Sequence, residues 1–217
     1  MKILAVIPAR GGSKRCPRKN IRSCAGRPLL GWTIEQAKEA NGMRVVVSSD
    51  DQEILSYAKG QGVEIIERPE NLAGDLVSSS AVALHALSMM EADYVVLLQP
   101  TSPLRASADI ANALYISHKY KAPCVSVTSA GVRPELLCGI DNEGRLFRPV
   151  DRFPVAYRLN GAVYVSPSDV FQEHGTFMLP FTRSHVMPKE RSLDIDTEED
   201  FRAAHEALHR KLYEMVM

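Results

Sequence analysis

Tyr94-Val95-Val96-Leu97-Leu98 contains no polar position, and neither does Ile3-Leu4-Ala5-Val6-Ile7. A strand packed on one face alternates apolar with polar residues, so runs without alternation read as strands buried on both faces. Further β-rich runs fall at 44–47, 64–66 and 124–127. Helix-period segments lie between them at 30–39, 52–61, 79–90 and 108–119. Strand–helix alternation of this kind predicts an α/β fold: a doubly wound, mostly parallel sheet with helices on both sides. Ligands in such sheets bind at the carboxyl ends of the strands. The strand-end loops at 8–20, 48–51, 68–79 and 99–105 are therefore where function is expected.

The pattern changes near residue 130. Apolar stretches at 136–140 and 146–147 flank the turn-rich Asp141-Asn142-Glu143-Gly144, which predicts a hairpin leaving the main sheet. A strand at 162–165 follows Asn160-Gly161, and an amphipathic helix at about 197–215 presents Phe201, Ala204, Leu208 and Leu212 on one face. The expected organisation is one domain over 1–217, with 130–158 as a protruding insertion.

Composition narrows the function. Lys and Arg number 26, Asp and Glu 26, and the formal net charge is zero, which argues against bulk nucleic-acid or membrane-surface binding. No apolar run approaches the roughly 18 residues of a membrane span, and the N-terminus lacks the apolar centre of a signal peptide. A cytoplasmic protein is the expectation. Cys16, Cys24, Cys124 and Cys138 form no C-x-x-C pair, which suits reduced thiols better than zinc. His205 and His209 lack a third ligand and read as surface.

Charge is nevertheless unevenly placed. Arg10, Lys14, Arg15, Arg18, Lys19, Arg22 and Arg27 all precede the first acid, Glu35. Within them, Arg10-Gly11-Gly12-Ser13-Lys14 follows a strand directly. It matches neither the Walker spacing nor a dinucleotide fingerprint. Its glycines let a ligand approach the backbone, and its cations suit a polyphosphate, unless the segment is a solvated basic turn. Far along the chain, Asp194 and Asp196 alternate about Ile195. In extended backbone both carboxylates point one way and could hold Mg²⁺. Alternatively Asp196 and Glu199 form a helix capping box. Gln99-Pro100-Thr101-Ser102-Pro103-Leu104-Arg105 is a stiff turn after a buried strand, either a preorganised site or an ordinary connection. Arg158, Asn160 and Tyr164 read as core or rim.

The segments IPARGGSKRCPRKNI (7–21), VSSD (47–50), RPENLAGD (68–75), LQPTSPLR (98–105), RLNGAVYV (158–165) and DIDTEEDF (194–201) occur in order across nearly the whole chain. Together they resemble the acylneuraminate cytidylyltransferases, the family that includes CMP-sialic acid synthetases. The resemblance implies a nucleotidyltransferase, Rossmann-like fold and a homodimer whose protruding hairpin reaches the partner's sugar pocket. It implies transfer of CMP from CTP to the anomeric hydroxyl of a nonulosonic acid, with release of pyrophosphate. By the same resemblance Arg10, Ser13, Lys14, Lys19 and Asn20 surround the CTP phosphates and ribose. Arg10, Lys14, Lys19 and Asp196 are the catalytic set. Arg68, Val77 and Ser79 meet cytosine, and Asp194 with Asp196 binds Mg²⁺. Gln99, Arg158, Asn160, Tyr164 and Phe177 face the sugar. The chain departs from the sialic pattern in having Arg133-Pro134-Glu135-Leu136 where a lysine is common, and Met178 where a second aromatic follows Phe177. Arg133, Arg148 and Arg152 are candidates for gripping the sugar carboxylate. Alternative substrates are legionaminic acid and other 2-keto-3-deoxy sugar acids. A non-catalytic CTP-binding protein is the remote alternative.

Overall fold

The computed structural model describes residues 1–13, 15–137, 139–140, 142–147 and 155–216. Lys14, Cys138, Arg148 and Arg152 lie outside the described residues. The first half contains β1 (Ile3–Pro8), a small ribbon of β2 (Ser23–Cys24) and β3 (Arg27–Pro28), α1 (Leu29–Glu39), β4 (Arg44–Ser49), α2 (Gln52–Gly60), β5 (Glu64–Glu67), α3 (Ser79–Met89) and β6 (Tyr94–Leu97). Then come α4 (Ser107–Tyr120), β7 (Cys124–Ser129), β8 (Gly139–Ile140), β9 (Leu146–Phe147), β10 (Tyr157–Pro167), α5 (Ser168–His174), β11 (Arg183–Val186) and α6 (Glu198–Val216).

Seven strands form the main sheet in the order β11-β7-β10-β6-β1-β4-β5. β10 runs antiparallel to both of its neighbours. The other pairings are parallel, so the sheet is mostly parallel as the uninterrupted apolar runs imply. The expected hairpin pairs Gly139 with Phe147 and Ile140 with Leu146, outside the main sheet.

Side-chain alternation along β1 builds both faces of the core. Ile3, Ala5 and Ile7 pack with Leu30, Ile34, Ile110 and Ala113 from α1 and α4. Leu4 and Val6 pack on the opposite face with Ala83 and Ala86 from α3 and Phe171 from α5. Each fully buried aliphatic side chain of this kind stabilises the fold by about 1.5–3 kcal/mol.

A third cluster brings the two ends of the chain together. Phe201, Ala204 and Leu208 of α6 pack with Trp32, Leu104, Cys16 and Ile195. The Ala25 backbone N–H donates to His205 Nδ1 at 3.0 Å, so one of the two helical histidines helps dock α6 while remaining exposed. This docking sets the segment around Ile195 beside the loop after β1.

Candidate active site

One cleft of about 270 Å³ lies at the carboxyl ends of the strands and is lined by Arg10, Ser13, Lys19, Asn20, Arg68, Val77, Ser79, Gln99, Asp194 and Asp196. Residues far apart in sequence thus share one surface. Arg158, Asn160, Tyr164 and Phe177 are outside that lining.

The basic wall is the loop after β1. The Gly11 N–H donates to Asp50 Oδ1 at 3.0 Å, and Asn20 Nδ2 donates to the Arg10 carbonyl at 2.9 Å. A Cβ on Gly11 would lie 2.6 Å from Asp51 Oδ2. Gly11 therefore admits an aspartate of the protein itself rather than a ligand. Gly12 meets nothing within 4 Å and keeps the open backbone expected of the pair. Asp51 also caps α2 by accepting from the Glu53 and Ile54 N–H groups. Arg10 pairs with Asp75, and Arg18 with Asp51 and Glu53. Ser13 Oγ and Asn20 Oδ1 are buried and have no hydrogen-bond partner among the described residues. Two such orphaned groups on residues lining one cleft suit a polar ligand there.

Lys19 bridges to the second wall. Its Nζ donates to the Ile195 carbonyl at 2.7 Å and lies 4.0 Å from Asp196 Oδ1. Burial lowers the Lys19 pKa, opposed by the Asp196 and Asp194 carboxylates.

The acidic wall is the extended segment before α6. Ile195 is buried and its N–H donates to the Thr101 carbonyl at 2.9 Å, while the flanking Asp194 and Asp196 both line the cleft. The expected alternation is thus present. The capping alternative is not: Thr197 Oγ1 accepts from the Asp200 N–H at 3.2 Å, and Asp200 Oδ2 accepts from the Thr197 N–H at 2.8 Å. Thr197 and Asp200 form the capping box in place of Asp196 and Glu199, because Asp196 still belongs to the extended segment. The Asp196 carboxylate instead meets Arg15 at 3.2 Å.

Burial raises the Asp194 pKa from its ordinary value. Asp196 adds to the shift, while a hydrogen bond with Thr101 and the Lys19 charge oppose it. An all-oxygen pair in which one carboxylate is penalised by burial and by its like-charged neighbour fits a hard divalent cation such as Mg²⁺. Among the described residues no group of three or more His, Cys, Asp or Glu could hold a metal. The remaining ligands would come from substrate and water, as Mg²⁺ commonly requires.

Residues missed in the sequence hold this wall in place. Asp109 of α4 is buried and accepts from Arg191 Nη2 at 2.8 Å and Nε at 2.9 Å. His185 Nε2 lies 3.2 Å from it. Hydrogen bonds from His185 and Arg191 outweigh desolvation and hold the Asp109 carboxyl well below the usual range. A polar residue inside the apolar face of a helix was the available signal.

Asn160 is the second brace. Its Nδ2 donates to Ser192 Oγ at 2.9 Å, and its Oδ1 accepts from Ser126 Oγ at 2.6 Å. Only 1% of Asn160 is exposed, so its amide serves the interior rather than the cleft lining.

The remaining sites form the far end. Arg68 is buried and donates to the Ser48 carbonyl at 2.7 Å, and burial lowers its pKa. Gln99 Nε2 donates to Ser79 Oγ at 3.3 Å. Gly161, at φ +72°, lies so near that a Cβ would be 2.9 Å from Gln99 Oε1 and 3.4 Å from Asp194 Oδ2. Tyr164 is half-buried, and its pKa is raised by desolvation and by Asp194. Phe177 stacks on Phe171 at 4.2 Å within the core, under Tyr164. Arg158 is exposed and donates to the Ser192 carbonyl at 3.4 Å.

A family model described as cytidylyltransferase matches residues 4–202. The N-acylneuraminate cytidylyltransferase of Escherichia coli O18:K1:H7 (strain RS218 / NMEC) is 35% identical over 94% of this chain and 51% of that protein. The chain thus spans about half the length of this relative. The CMP-N,N'-diacetyllegionaminic acid synthase of Legionella pneumophila is 34% identical over 99% of this chain and 97% of that protein. A pseudaminic acid cytidylyltransferase of Campylobacter jejuni is 32% identical over 94% of this chain and 95% of that protein. Among solved structures, a CMP:2-keto-3-deoxy-manno-octonic acid synthetase complexed with CTP has a TM-score of 0.76 at 18% identity, covering 97% of this chain and 100% of that one. At that identity the likeness is one of fold.

Proposed function

The chain belongs to the cytidylyltransferase family, and from that premise we propose that it transfers CMP from CTP to the anomeric hydroxyl of a nonulosonic (sialic-type) acid, releasing pyrophosphate. One observation carries the reading: a single cleft faces a basic loop with two orphaned polar groups against a carboxylate pair.

The roles follow from chemistry. Arg10, Lys14 and Lys19 neutralise the triphosphate and the departing pyrophosphate. Ser13 Oγ and Asn20 Oδ1, which have no hydrogen-bond partner among the described residues, bond to the ligand. Arg68, Val77 and Ser79 form the cytosine end. Arg68 fixes the end of β4 there, and Ser79 is braced by Gln99. Asp194 and Asp196 hold Mg²⁺, which when bound would polarise the attacked phosphate and offset triphosphate charge.

Gln99 and Tyr164 face the sugar, with Arg158 at its exposed rim. Asn160 and Phe177 act from behind, through Ser192 and Tyr164. The sugar oxygen attacks the α-phosphate in line, and orientation by these walls supplies much of the acceleration. Burial lowers the Lys19 pKa and the two carboxylates oppose that shift; placed between the walls, its ammonium would stabilise negative charge developing on the departing pyrophosphate.

The protein is assigned to the cytoplasm, as a homodimer in which residues 130–158 reach the partner. Exposed Val132, Leu136 and Val155 in that excursion, with Tyr157 and Leu159 exposed at the adjoining start of β10, support the assembly.

A second substrate, legionaminic acid, is favoured by the Legionella relative, which matches along nearly its whole length. Pyrophosphate release from CTP and Mg²⁺ with a panel of sialic, legionaminic, pseudaminic and octulosonic acids tests both. Release with one or more of these acids is expected. CTP binding without release on any of them would leave only the non-catalytic alternative.

A further inference from the structure

Arg105 is fully buried. Its Nη1 donates to the Ala162 carbonyl at 2.5 Å and to the Gln99 carbonyl at 3.4 Å. Its Nη2 donates to Thr33 Oγ1 at 3.0 Å and to Gln36 Oε1 at 3.1 Å. Gln36 returns a bond from Nε2 to the Pro103 carbonyl at 2.6 Å. One guanidinium therefore ties α1 to the turn after β6 and to β10.

Its hydrogen-bonding partners are neutral oxygens, while nearby Asp109 is engaged by Arg191, His185 and the Ala106 N–H. Burial lowers the Arg105 pKa to about 9. A cation so placed is a poor device for stability alone, because well-packed apolar residues commonly do as well or better.

The two carbonyls it holds have a particular position. Gln99 and Ala162 flank the point where Gly161 lies against Gln99 Oε1 and Asp194 Oδ2. Any shift of either carbonyl changes how far the Gln99 side of the cleft stands from the acidic wall. Resting on the function proposed above, we infer that Arg105 is a positioning residue that sets the separation of Gln99 from Asp194 and so orients the sugar acid against CTP.

The test compares Arg105→Met, Arg105→Lys and Thr33→Val with the wild type. Readouts are CTP affinity by titration, melting temperature, and kcat and KM for the sugar acid that supports pyrophosphate release. Arg105→Met should lose about a hundredfold in kcat/KM for the sugar acid while CTP affinity changes less than about threefold, since misplacement by an ångström has that effect on an oriented reaction. Lysine keeps the charge and part of the bonding and should recover part of the loss.

Equal losses in CTP affinity and sugar turnover would overturn the inference, as would unchanged turnover in Arg105→Met. If Arg105→Met fails to fold, Thr33→Val decides. This isosteric change removes one acceptor and should show the same split in smaller degree; a wild-type profile would refute the positioning role. A wild-type enzyme silent with every sugar acid would instead defeat the function reading, and this inference with it.

Discussion

The two walls of the cleft are built by opposite means. The backbone of the basic wall is anchored inside by Cys16 and Asn20, but its cationic side chains are held from the surface: Arg10 pairs with Asp75, and Arg18 with Asp51 and Glu53, all through side chains substantially open to water except that of Asp51. Such pairs contribute little and yield readily to a competing anion. The acidic wall is held from inside. Ile195 is sunk in a core cluster, Arg191 is gripped by buried Asp109, and Ser192 by buried Asn160. The difference teaches a division of labour. A loop whose cations are neutralised by acids at the surface faces a segment braced from the interior at Ile195, Arg191 and Ser192.

The largest effect that could break this comparison comes from the acidic wall itself. Asp196→Asn should lower pyrophosphate release by at least about a hundredfold, the scale of losing a principal electrostatic contributor, with unchanged circular dichroism. Near-normal turnover would remove Asp196 from the chemistry.

Two aspartates should then move stability in opposite directions. Asp109 has a depressed pKa in the folded protein. It stabilises the fold above the ordinary carboxylate range, and that stabilisation is lost as pH falls through the depressed value. Asp109→Asn should therefore cost about 2 kcal/mol at neutral pH, a deficit that shrinks in acid. Asp194 has a raised pKa. Its ionisation opposes folding, so Asp194→Asn should stabilise the ligand-free protein above the raised value, and the gain should vanish below the ordinary range. Chemical denaturation of both variants between neutral and acidic pH measures each sign. Shifts of the same sign would contradict the contrast.

A smaller change sharpens the boundary between the walls. Gly161→Ala adds a Cβ 2.9 Å from Gln99 Oε1 at a positive φ. It should destabilise by about 1 kcal/mol and lower sugar turnover more than CTP binding, as titration and steady-state rates would reveal. Smallest of all, Asp50→Asn keeps an acceptor for the Gly11 N–H. A change of CTP affinity within about threefold is expected for a hydrogen bond retained without its charge; a much larger loss would mean that the basic wall is as rigidly set as the acidic one.

Much of this arrangement was legible in the chain. β1, β4 and β6 announce themselves by apolar residues without alternation, and the loops after them carry the cleft. Direction and edge position were not legible. Tyr157, Arg158 and Leu159 are exposed at the start of β10, so only its buried remainder reads as a strand. Side chains alone do not disclose that it runs antiparallel. Arg183-Ser184-His185-Val186 forms β11 at the sheet edge with mostly exposed polar residues, and α5 is too short to show a period.

The site divides in the same way. Arg10 and Lys19 stand out in a charge-rich strand-end loop, and Asp194 and Asp196 by their alternation about Ile195; the cleft brings all four together. Arg105 does not stand out, because sequence does not distinguish a surface arginine from one enclosed by four carbonyl, hydroxyl and amide oxygens.

The central claim is that the acidic wall supplies the metal and the basic wall the nucleotide. Titrating CTP into the wild type and Asp194→Asn across a Mg²⁺ series tests it directly. The wild type should bind CTP more tightly as Mg²⁺ rises, whereas Asp194→Asn should still bind CTP but with affinity nearly independent of Mg²⁺. An identical Mg²⁺ dependence in both proteins would contradict the account.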